Sequence, residues 1–419
     1  MTGTPQGPIA YLSGEYPRAT DTFIQREVAQ LREQGLEVLT CSIRKTDSKH
    51  HVGPEQRAEF AATFQVQQRA KNPVHLLRAH LSVLGRGPRR WGAAAVLAWR
   101  IAPPGVLAAL WQLFYFLQAA VLADYLRRNN VAHLHNHFAN SSCSVAILAS
   151  KMSGIPFSFT MHGPAIFYEP KHWRIDEKMA QAKFVSCISH FCRAQGMMFA
   201  DQKHWPKLKI VHCGVDPEKY GQTPRTTFGK HIVFVGRLDA IKGVPLLLDA
   251  IAALRDRHPD MRVSIVGDGP HRTQLEAQAA RLGLGEMAHF LGYRSQDEVA
   301  ELLTDADMLV LPSFAEGVPV VLMEAMAARL PVIASQVAGV GELVEDGVSG
   351  HLIPAGDTQS LIARMDHLLS DPAVCAKMGA TGREKVVADF DIYKEAAWLK
   401  ALITAEDPAP LPLRPGGTR

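Results

Sequence analysis

The sequence has few cysteines and no pattern that would pair them. Its 419 residues include six cysteines, and no two of them form a CxxC motif. Such scattered thiols suit a reducing compartment better than a disulfide framework or a zinc site. The N-terminal stretch MTGTPQGPIAYL lacks a basic region followed by an apolar run, so we expect no signal peptide and a cytoplasmic protein.

Net charge is also low. The 45 basic and 41 acidic residues leave a formal charge of +4, which is too small to indicate a nucleic-acid partner, and we expect none. Hydrophobic residues make up 47% of the chain, the profile of a globular protein, and its length predicts two or three domains.

One long stretch has no acidic residue at all. Residues 60–123 contain seven Lys or Arg and three Trp, and they end in the uncharged run GVLAALWQLFYFLQAAVLA, residues 105–123. The length of that run permits a membrane span, but Gln112, Gln118 and a leading Pro-Pro pair weaken this interpretation. Two alternatives remain: a buried helix of an α/β domain, or a basic, Trp-bearing surface that lies on an anionic membrane.

Short β-rich runs alternate with helical patterns along both halves of the chain, which is typical of parallel α/β sheets. We therefore predict an α/β protein of two facing Rossmann-like domains, with ligands at the carboxyl ends of the strands. The predicted strands lie at residues 8–13, 36–43, 131–138, 156–163, 184–189, 208–214, 231–237, 262–269, 288–293, 306–313 and 331–335.

Composition suggests where the domains end. The polar stretch 216–230 looks like a linker, and the Pro/Gly-rich tail from residue 405 is expected to be disordered. We predict an N-terminal Rossmann-like domain at 1–218 and a C-terminal Rossmann-like domain at 219–395, with 396–419 forming a helix end and tail.

Two cations follow a predicted strand in the second half. The segment FVGRLDAIKG places Arg237 and Lys242 around the start of a helix, whose N–H groups and dipole favour an anion. Two cations there would suit two phosphates, although solvated loop cations are the simpler alternative. Gly267 and Gly269 in SIVGDGP form a second tight turn, but without the third glycine of a dinucleotide fingerprint they do not indicate a nicotinamide enzyme.

The segment FAEGVPVVLMEAMA, residues 314–327, holds two carboxylates with seven residues between them. Glu316 is predicted on the loop ahead of a helix and Glu324 inside it, with Pro319 near the first helical position. Carboxylates accept hydrogen bonds from paired hydroxyls, so the two could hold sugar-like rings. The alternatives are a dipole-compensating Glu316 and a surface Glu324.

Taken in order, these motifs resemble the GT-B glycosyltransferases, specifically the retaining family 4, in which E-x7-E and a preceding G-R-x(n)-K-G segment form the nucleotide-sugar site. The segments SGEYPRATDTFIQREVAQLREQG and HLHNHFANSSCSVAILASKMSGIPFSFTMHG are similar to the exopolysaccharide and colanic-acid subgroup. The resemblance runs from about residue 8 to about residue 400. It implies a GT-B fold with an interdomain cleft, in which the domain at 1–218 binds the acceptor and the domain at 219–395 binds the nucleotide-sugar donor.

The resemblance implies roles for individual residues. Glu324 would accept from the ribose hydroxyls and Glu316 would face the donor sugar. Arg237 and Lys242, which follow the donor-binding Gly236, would neutralise the diphosphate. Backbone amides would hold sugar hydroxyls and phosphate, namely those of Gly317, Val318, Val320 and Val321.

Further contacts are implied around this core. The turns at Gly267–Gly269 and Gly292–Arg294, which include Tyr293 and Arg294, would contact the base. A loop after the first strand, at Ser13 and Gly14, would approach the diphosphate, although many family members have two adjacent glycines there. His162 in FTMHG matches the active-site histidine of the family.

Three histidines, His133, His135 and His137, would share one face of a strand, which suggests a metal site. No fourth ligand is evident, and the family has a strand at this place. No Asp-x-Asp pair stands at a predicted strand end either. We therefore expect no metal and no required cofactor.

The resemblance implies hexosyl transfer from a nucleotide sugar, for which we expect a UDP-sugar, with retention of configuration. The expected acceptor is a polyprenyl-diphosphate-linked oligosaccharide at the inner face of the cell membrane, which residues 60–123 would approach. A nucleotide-sugar 2-epimerase and a non-catalytic glycan-binding subunit are the alternatives. The presence of Arg237, Lys242, Glu316 and Glu324 argues against the second.

Overall fold

The computed structural model describes residues 7–18, 21–48, 53–221, 223–225, 227–406 and 412–414. The chain divides into two compact units, which we call the N-terminal domain (Met1–Val211 with Tyr393–Arg419) and the C-terminal domain (His212–Ile392). The first boundary thus lies seven residues before the predicted one at 218/219. The last helix returns to the N-terminal domain rather than standing apart with the tail.

The N-terminal domain contains a parallel sheet of seven strands in the order β3-β2-β1-β4-β5-β6-β7. The strands are β1 Ile9–Glu15, β2 Val38–Arg44, β3 Phe64–Gln65, β4 His133–His137, β5 Phe157–Met161, β6 Val185–Cys187 and β7 Leu208–Ile210. The helices are α1 Thr22–Glu33, α2 Pro54–Ala62, α3 Val66–Ala70, α4 Pro73–Arg86, α5 Pro88–Arg100, α6 Val106–Arg128, α7 Ser141–Ser153, α8 Ile175–Gln181 and α9 His190–Phe199.

The C-terminal domain contains a parallel sheet of six strands in the order β10-β9-β8-β11-β12-β13. The strands are β8 His231–Val235, β9 Arg262–Val266, β10 Ala288–Gly292, β11 Met308–Leu311, β12 Val332–Ser335 and β13 His351–Ile353. Its helices are α10 Val244–Leu254, α11 Arg272–Arg281, α12 Gln296–Asp305, α13 Val320–Ala327, α14 Val340–Leu343, α15 Thr358–Ser370 and α16 Pro372–Asp389. The last helix, α17 Ile392–Thr404, belongs to the N-terminal domain from Tyr393 onward.

Both strand orders have the Rossmann pattern, in which the chain steps outward from the first strand and then crosses to its other side. The central strands are buried on both faces, so they read as continuous apolar runs. Met308–Leu311 is at most 1% exposed at every position. All eleven predicted strands are confirmed. The two that were missed, β3 and β13, have only two and three residues and carry no sequence period.

The predicted linker at 216–230 is a folded part of the C-terminal domain. Tyr220 is 4% exposed, and a Cβ on Gly221 would lie 2.8 Å from the carbonyl carbon of Ala328. Arg225 forms an ion pair with Asp307 at 3.1 Å. The linker prediction is therefore wrong, because polar residues in this stretch are used for packing and ion pairing. In the predicted disordered tail, residues 407–411 and 415–419 lie outside the described part of the chain.

The 23-residue helix α6 is long and apolar enough to cross a membrane by length and composition, with 39% of its most apolar window buried. Its second half is a core helix, since Ala119, Ala120 and Leu122 are fully buried. Its first half is open: Val106 is 81% and Leu107 69% exposed. The uncharged run therefore has two different environments along one helix.

Candidate active site

The sequence-predicted residues of the C-terminal domain follow the ends of four strands, β8, β9, β10 and β11. Because parallel strands end at one edge of a sheet, the loops after them lie side by side. The amide of Gly236 donates to Val266 O at 3.0 Å, and the amide of Gly267 donates to Gly292 O at 2.8 Å. The first three loops are thus hydrogen-bonded to one another.

Glycine is required where these loops meet. Gly267 has φ +130°, and a Cβ there would lie 1.9 Å from Gly236 O. A Cβ on Gly269 would lie 2.3 Å from Leu238 O. No side chain fits at such distances, so these glycines serve backbone-to-backbone packing of the loops. Their proposed contact with a base stays a prediction.

Lys242 and Glu316 come from different loops and form an ion pair. Lys242 Nζ donates to Glu316 Oε1 at 2.6 Å, and the two side chains are 20% and 10% exposed. A backbone bond from Phe314 N to Ile241 O at 2.7 Å fixes the two loops beside each other. The sequence placed one residue at phosphate and the other at sugar. The structure shows that each is also the counter-charge of the other.

The N-terminus of α13 presents unused donors. Within the described part of the chain, the backbone N–H groups of Gly317, Val318, Val320 and Val321 donate to no acceptor, while Gly317 O accepts from Gly339 N. Pro319 is the N-cap residue, one position earlier than predicted. A helix N-terminus with free N–H groups is an anion- and hydroxyl-binding feature, next to the Lys242–Glu316 pair.

Glu324 lies inside α13 as predicted, but it is no surface residue, since it is only 8% exposed. Tyr220 donates its hydroxyl to Glu324 Oε1 at 3.2 Å. Arg383 in turn donates to the carbonyls of Pro217, Tyr220 and Ala327, which holds Tyr220 against α13. Sequence reasoning missed Tyr220 and Arg383, because a tyrosine in a polar stretch and an arginine in a distant helix carry no motif.

The other predicted contacts of this domain are more exposed. Arg237 has a 60% exposed side chain, and its Nε lies 3.4 Å from Asp239 Oδ2. Tyr293 is 42% exposed. Arg294 Nη1 lies 3.8 Å from Glu298 Oε1 in the first turn of α12. These side chains can move to meet a ligand, whereas Lys242, Glu316 and Glu324 are held in place.

In the N-terminal domain, Gly14 does not lie on a loop after the first strand. It lies within β1, which extends to Glu15, and Ser13 is aligned with Ser42 of β2. The pairing continues to Glu15, which is aligned with Arg44, and Arg44 Nε also donates to Glu15 Oε1 at 3.0 Å. The prediction of a loop at Ser13 and Gly14 is therefore wrong, and the proposed diphosphate contact loses its structural basis.

His162 follows the end of β5, as predicted, and is surrounded by aromatic rings. Its Nε2 lies 2.9 Å from His137 Nδ1, and the two rings stack with centroids 5.1 Å apart. Phe23 and Phe138 pack on its other sides, each with centroids 4.8 Å away. Burial, with a smaller effect of His137, lowers the pKa of His162 well below its usual value. His162 is therefore neutral at pH 7.

The contacts continue from His162 into the domain core. His137 Nε2 lies 3.2 Å from Glu27 Oε1, and Tyr11 donates to the same oxygen at 2.7 Å. Burial lowers the pKa of His137 to about 3 and raises the pKa of Glu27. A carboxyl, an imidazole and His162 thus stand in one line. Sequence reasoning missed Glu27, because it is one of two glutamates in α1 and belongs to no motif.

Glu27, His135 and His137 each offer a ligand atom within 4.8 Å of the others, a spacing that a metal ion could use. Both ring nitrogens of His135 already have protein partners, since its Nδ1 lies 2.8 Å from Ser158 Oγ and its Nε2 lies 2.9 Å from Thr160 Oγ1. The expectation that no metal binds at this group of side chains stays a prediction.

Comparison with known proteins covers nearly the whole chain. The model described as Glycosyltransferase Family 4 matches residues 22–219, and that described as Glycosyl transferases group 1 matches residues 218–385. The putative colanic acid biosynthesis glycosyltransferase WcaL of Salmonella typhimurium is 32% identical over 413 residues, 91% of this chain and 96% of the relative. The amylovoran biosynthesis glycosyltransferase AmsK of Erwinia amylovora is 33% identical over 193 residues, 44% of this chain and about half of the relative, 47%.

The crystal structure of HepE of Anabaena in complex with UDP superposes with a TM-score of 0.71 at 19% identity, covering 94% of this chain and 98% of that chain. At this identity the likeness concerns the fold, and it confirms the predicted GT-B class of two Rossmann-like domains with parallel sheets. The family models and the full-length relative also confirm the resemblance drawn from the motifs. The chain belongs to glycosyltransferase family 4.

Proposed function

We propose that this enzyme transfers a hexose from a UDP-sugar to a lipid-linked oligosaccharide in exopolysaccharide assembly, at the cytoplasmic face of the membrane. The transfer retains anomeric configuration and requires no metal. The observation that carries the proposal is the Lys242–Glu316 pair at the N-terminus of α13, beside four backbone N–H groups that have no acceptor among the described residues. The names of WcaL and AmsK place those relatives in exopolysaccharide pathways.

The geometry matches the charge changes of the reaction. Breaking the bond from sugar to diphosphate builds negative charge on the phosphate and positive charge on the sugar ring. Lys242 and the free N–H groups of α13 stabilise the phosphate, while the Glu316 carboxylate lies next to them for the electron-poor ring. Arg237, with its exposed side chain, closes onto the second phosphate. Glu324, fixed by Tyr220, accepts from the ribose hydroxyls.

The neutral state of His162 defines what it can do. A neutral imidazole with a lowered pKa is a weak base and adds no positive charge near the sugar, so His162 positions sugar hydroxyls. Nδ1 of His137 is hydrogen-bonded to Nε2 of His162, which fixes the orientation of the His162 ring. The HepE structure, which contains UDP, supports the choice of nucleotide.

A lipid-linked acceptor is supported by an apolar, basic surface on the N-terminal domain, which we call the α4–α6 surface. Seven basic residues of the stretch 60–123 are exposed, with no acidic residue in that stretch. Large apolar side chains, 37–81% exposed, lie on α4, α5 and α6: Val74, Leu77, Leu81, Leu84, Val96, Trp99, Val106, Leu107, Leu110, Trp111, Leu113 and Phe114. Apolar exposure on this scale marks a contact surface, and the positive charge suits an anionic membrane.

The donor site is tested by thermal unfolding with UDP, GDP, ADP and dTDP, each with and without EDTA. UDP at about 100 times its dissociation constant adds about 2.7 kcal/mol, a shift of several degrees in Tm. We expect an EDTA-insensitive shift with UDP that Arg237→Ala reduces strongly. No shift with any nucleotide would refute the proposal and favour a non-catalytic glycan-binding subunit.

The epimerase alternative is separated by product analysis. Incubation of the protein with UDP-sugars alone would give an isomeric UDP-sugar if the protein were an epimerase. We expect no isomer, and only slow release of UDP and free sugar in the absence of acceptor.

A further inference from the structure

A cavity of about 700 Å3 opens in the N-terminal domain, and its described lining residues include Gln112 and Gln118 of the uncharged run but none of the predicted catalytic or donor-binding residues. It lies beside the carboxyl end of β2, between the connection from α5 to α6 and the first turn of α7. Among the described residues that line it there is no acidic side chain. The cavity and all its lining residues belong to one domain.

Two glutamines in the wall each have one amide atom without a hydrogen-bond partner among the described residues. Gln112 is 5% exposed, and its Nε2 is buried without an acceptor among the described residues. Gln118 Oε1 is likewise buried without a donor. A buried polar group left unpaired is costly, and native structures keep few of them without a water or ligand to explain them. Gln112, Tyr115 and Gln118 are three residues apart on α6 and share one helix face.

The chemistry of this wall fits a sugar. A sugar hydroxyl donates one hydrogen bond and accepts others, so one ring can satisfy an orphan donor and an orphan acceptor together. Trp111, Tyr115 and Trp173 also line the cavity, and flat aromatic faces pack against the C–H face of a sugar ring.

The wall is held open by core contacts. Lys178 is fully buried and donates to Ala139 O at 2.8 Å and Asn140 O at 3.0 Å, just ahead of α7. Its ammonium also lies over the Trp173 ring, 5.6 Å from the centroid. One side chain thus fixes two sides of the cavity, which makes it a preformed site.

The cavity opens onto the exposed half of α6. Val106 and Leu107 line the cavity and are 81% and 69% exposed, so its wall continues into the α4–α6 surface. Trp111, 53% exposed, stacks on Tyr115 with ring centroids 6.5 Å apart, which joins the open surface to the polar interior. The polar interior of the cavity leads to an apolar surface, so the cavity suits a ligand with a polar head and an apolar tail.

We propose that this cavity binds the sugar of a lipid-linked acceptor, with the lipid leaving along the first half of α6. This inference rests on the proposed function, since it locates the acceptor of that reaction. Gln112 and Gln118 bind the sugar hydroxyls, and the aromatic side chains pack on its ring.

The test uses the full chain and three probes that separate the two parts of the ligand. These are n-octyl β-D-glucoside, methyl β-D-glucoside, which lacks the tail, and octyl tetraethylene glycol ether, which lacks the sugar. Titration calorimetry below the micellar concentration should show the octyl glucoside binding at least about tenfold more tightly than either control. Equal affinity for the octyl ether and the octyl glucoside would overturn the proposal, because the site would then recognise only the chain.

Substitutions distinguish the cavity from the surface around it. Ala108→Trp fills the cavity mouth and should abolish octyl glucoside binding, whereas Ala109→Trp, at the neighbouring exposed position that does not line it, should not. Gln112→Leu should weaken binding about two- to tenfold, the effect of one hydrogen bond, without lowering Tm. A lower Tm with unchanged affinity would assign Gln112 a structural role only and refute its place in the site.

UDP binding measured in the same samples separates this inference from the proposed function. Retained UDP binding with no preference for the octyl glucoside refutes the cavity assignment alone. Absence of UDP binding by the unsubstituted protein would refute the proposed function itself.

Discussion

At the scale of single residues, the ion pair of Lys242 and Glu316 decides how the donor site is built. Both side chains are largely shielded from water, so each charge depends on the other more than a surface pair would. In the proposed donor site, the diphosphate would share Lys242 with Glu316. Binding would then replace part of one counter-charge by another and keep the lysine compensated throughout.

This arrangement predicts coupled effects of substitution. Lys242→Met should weaken UDP binding about ten- to hundredfold, because a hydrogen bond to a charged group is worth about 1.5–3 kcal/mol. In urea denaturation, Lys242→Met combined with Glu316→Gln should destabilise the protein by about 1 kcal/mol less than the sum of the single changes. Strictly additive losses would show that the pair does not stabilise the fold.

At the scale of elements, the loops after β8, β9 and β10 act as one unit, because backbone packs on backbone at glycines. The sequence suggested these glycines as ligand contacts, and the structure gives them a packing reason as well. Any displacement of one loop would move the others, and with them Arg237.

Gly267→Ala should therefore cost about 3 kcal/mol or more, since its Cβ would meet Gly236 O at 1.9 Å and φ is +130°. Gly285→Ala is the matched control in the same domain, because no atom lies within 4 Å of its added Cβ. It should change the free energy of unfolding by less than about 1 kcal/mol. Urea denaturation of both variants measures the difference, and similar costs at the two sites would contradict the loop packing.

Strand β4 is a second element whose residues share one property, because its three histidines are buried and neutral. Burial lowers the pKa values of His135 and His137 to about 3, from 6.5 in an unfolded chain. As pH falls below 6.5, the unfolded state binds protons that the folded state does not. The stability contributed by these neutral side chains is thus present above pH 6.5 and is lost on acidification.

Between pH 6.5 and pH 5, each of these two histidines should cost about 2 kcal/mol of folding free energy. Carboxylates with lowered pKa values act at lower pH, but burial raises the pKa of Glu27 toward this window, so a substitution is needed to isolate one imidazole. His135→Gln, which can still bond Ser158 and Thr160, should flatten the fall in unfolding free energy between pH 7.5 and pH 5. An unchanged slope in the variant would show that His135 titrates normally.

At the scale of the whole molecule, the α4–α6 surface brings exposed apolar and basic side chains together on three helices of the N-terminal domain. Arg86 and Arg100 have acidic partners in Asp124 and Glu177. Arg78 and Arg89 are exposed on α4 and α5, on helices that also carry exposed apolar side chains. Apolar anchors with cations beside them are the features by which a protein lies on an anionic membrane.

We expect the protein to float with vesicles containing phosphatidylglycerol at low salt and to be released at high salt. Arg78→Glu with Arg89→Glu should weaken vesicle binding at least about tenfold, at about 1 kcal/mol per basic residue. Leu107→Ser with Leu110→Ser should also weaken it, while Met198→Ser, at a 71% exposed position on α9, should not. Absence from the vesicle fraction at low salt would refute membrane docking.

The sequence by itself determined the fold class and the positions of the motifs. Apolar runs bounded by Gly and Pro identify strands such as β8 and β11, because a strand buried on both faces tolerates little else. Arg237, Lys242, Glu316 and Glu324 were found because they match, in order along the chain, the G-R-x(n)-K-G and E-x7-E motifs of the family.

Only the tertiary structure decided which side chains meet. The contacts of Tyr220 with Glu324 and of Glu27 with His137 join residues about a hundred positions apart, and no local pattern encodes such a pair. The extension of β1 through Gly14 and the division of α6 into an open and a buried half were decided in the same way. Strand pairing and burial depend on what packs against a segment, whereas local sequence fixes only what the segment can become.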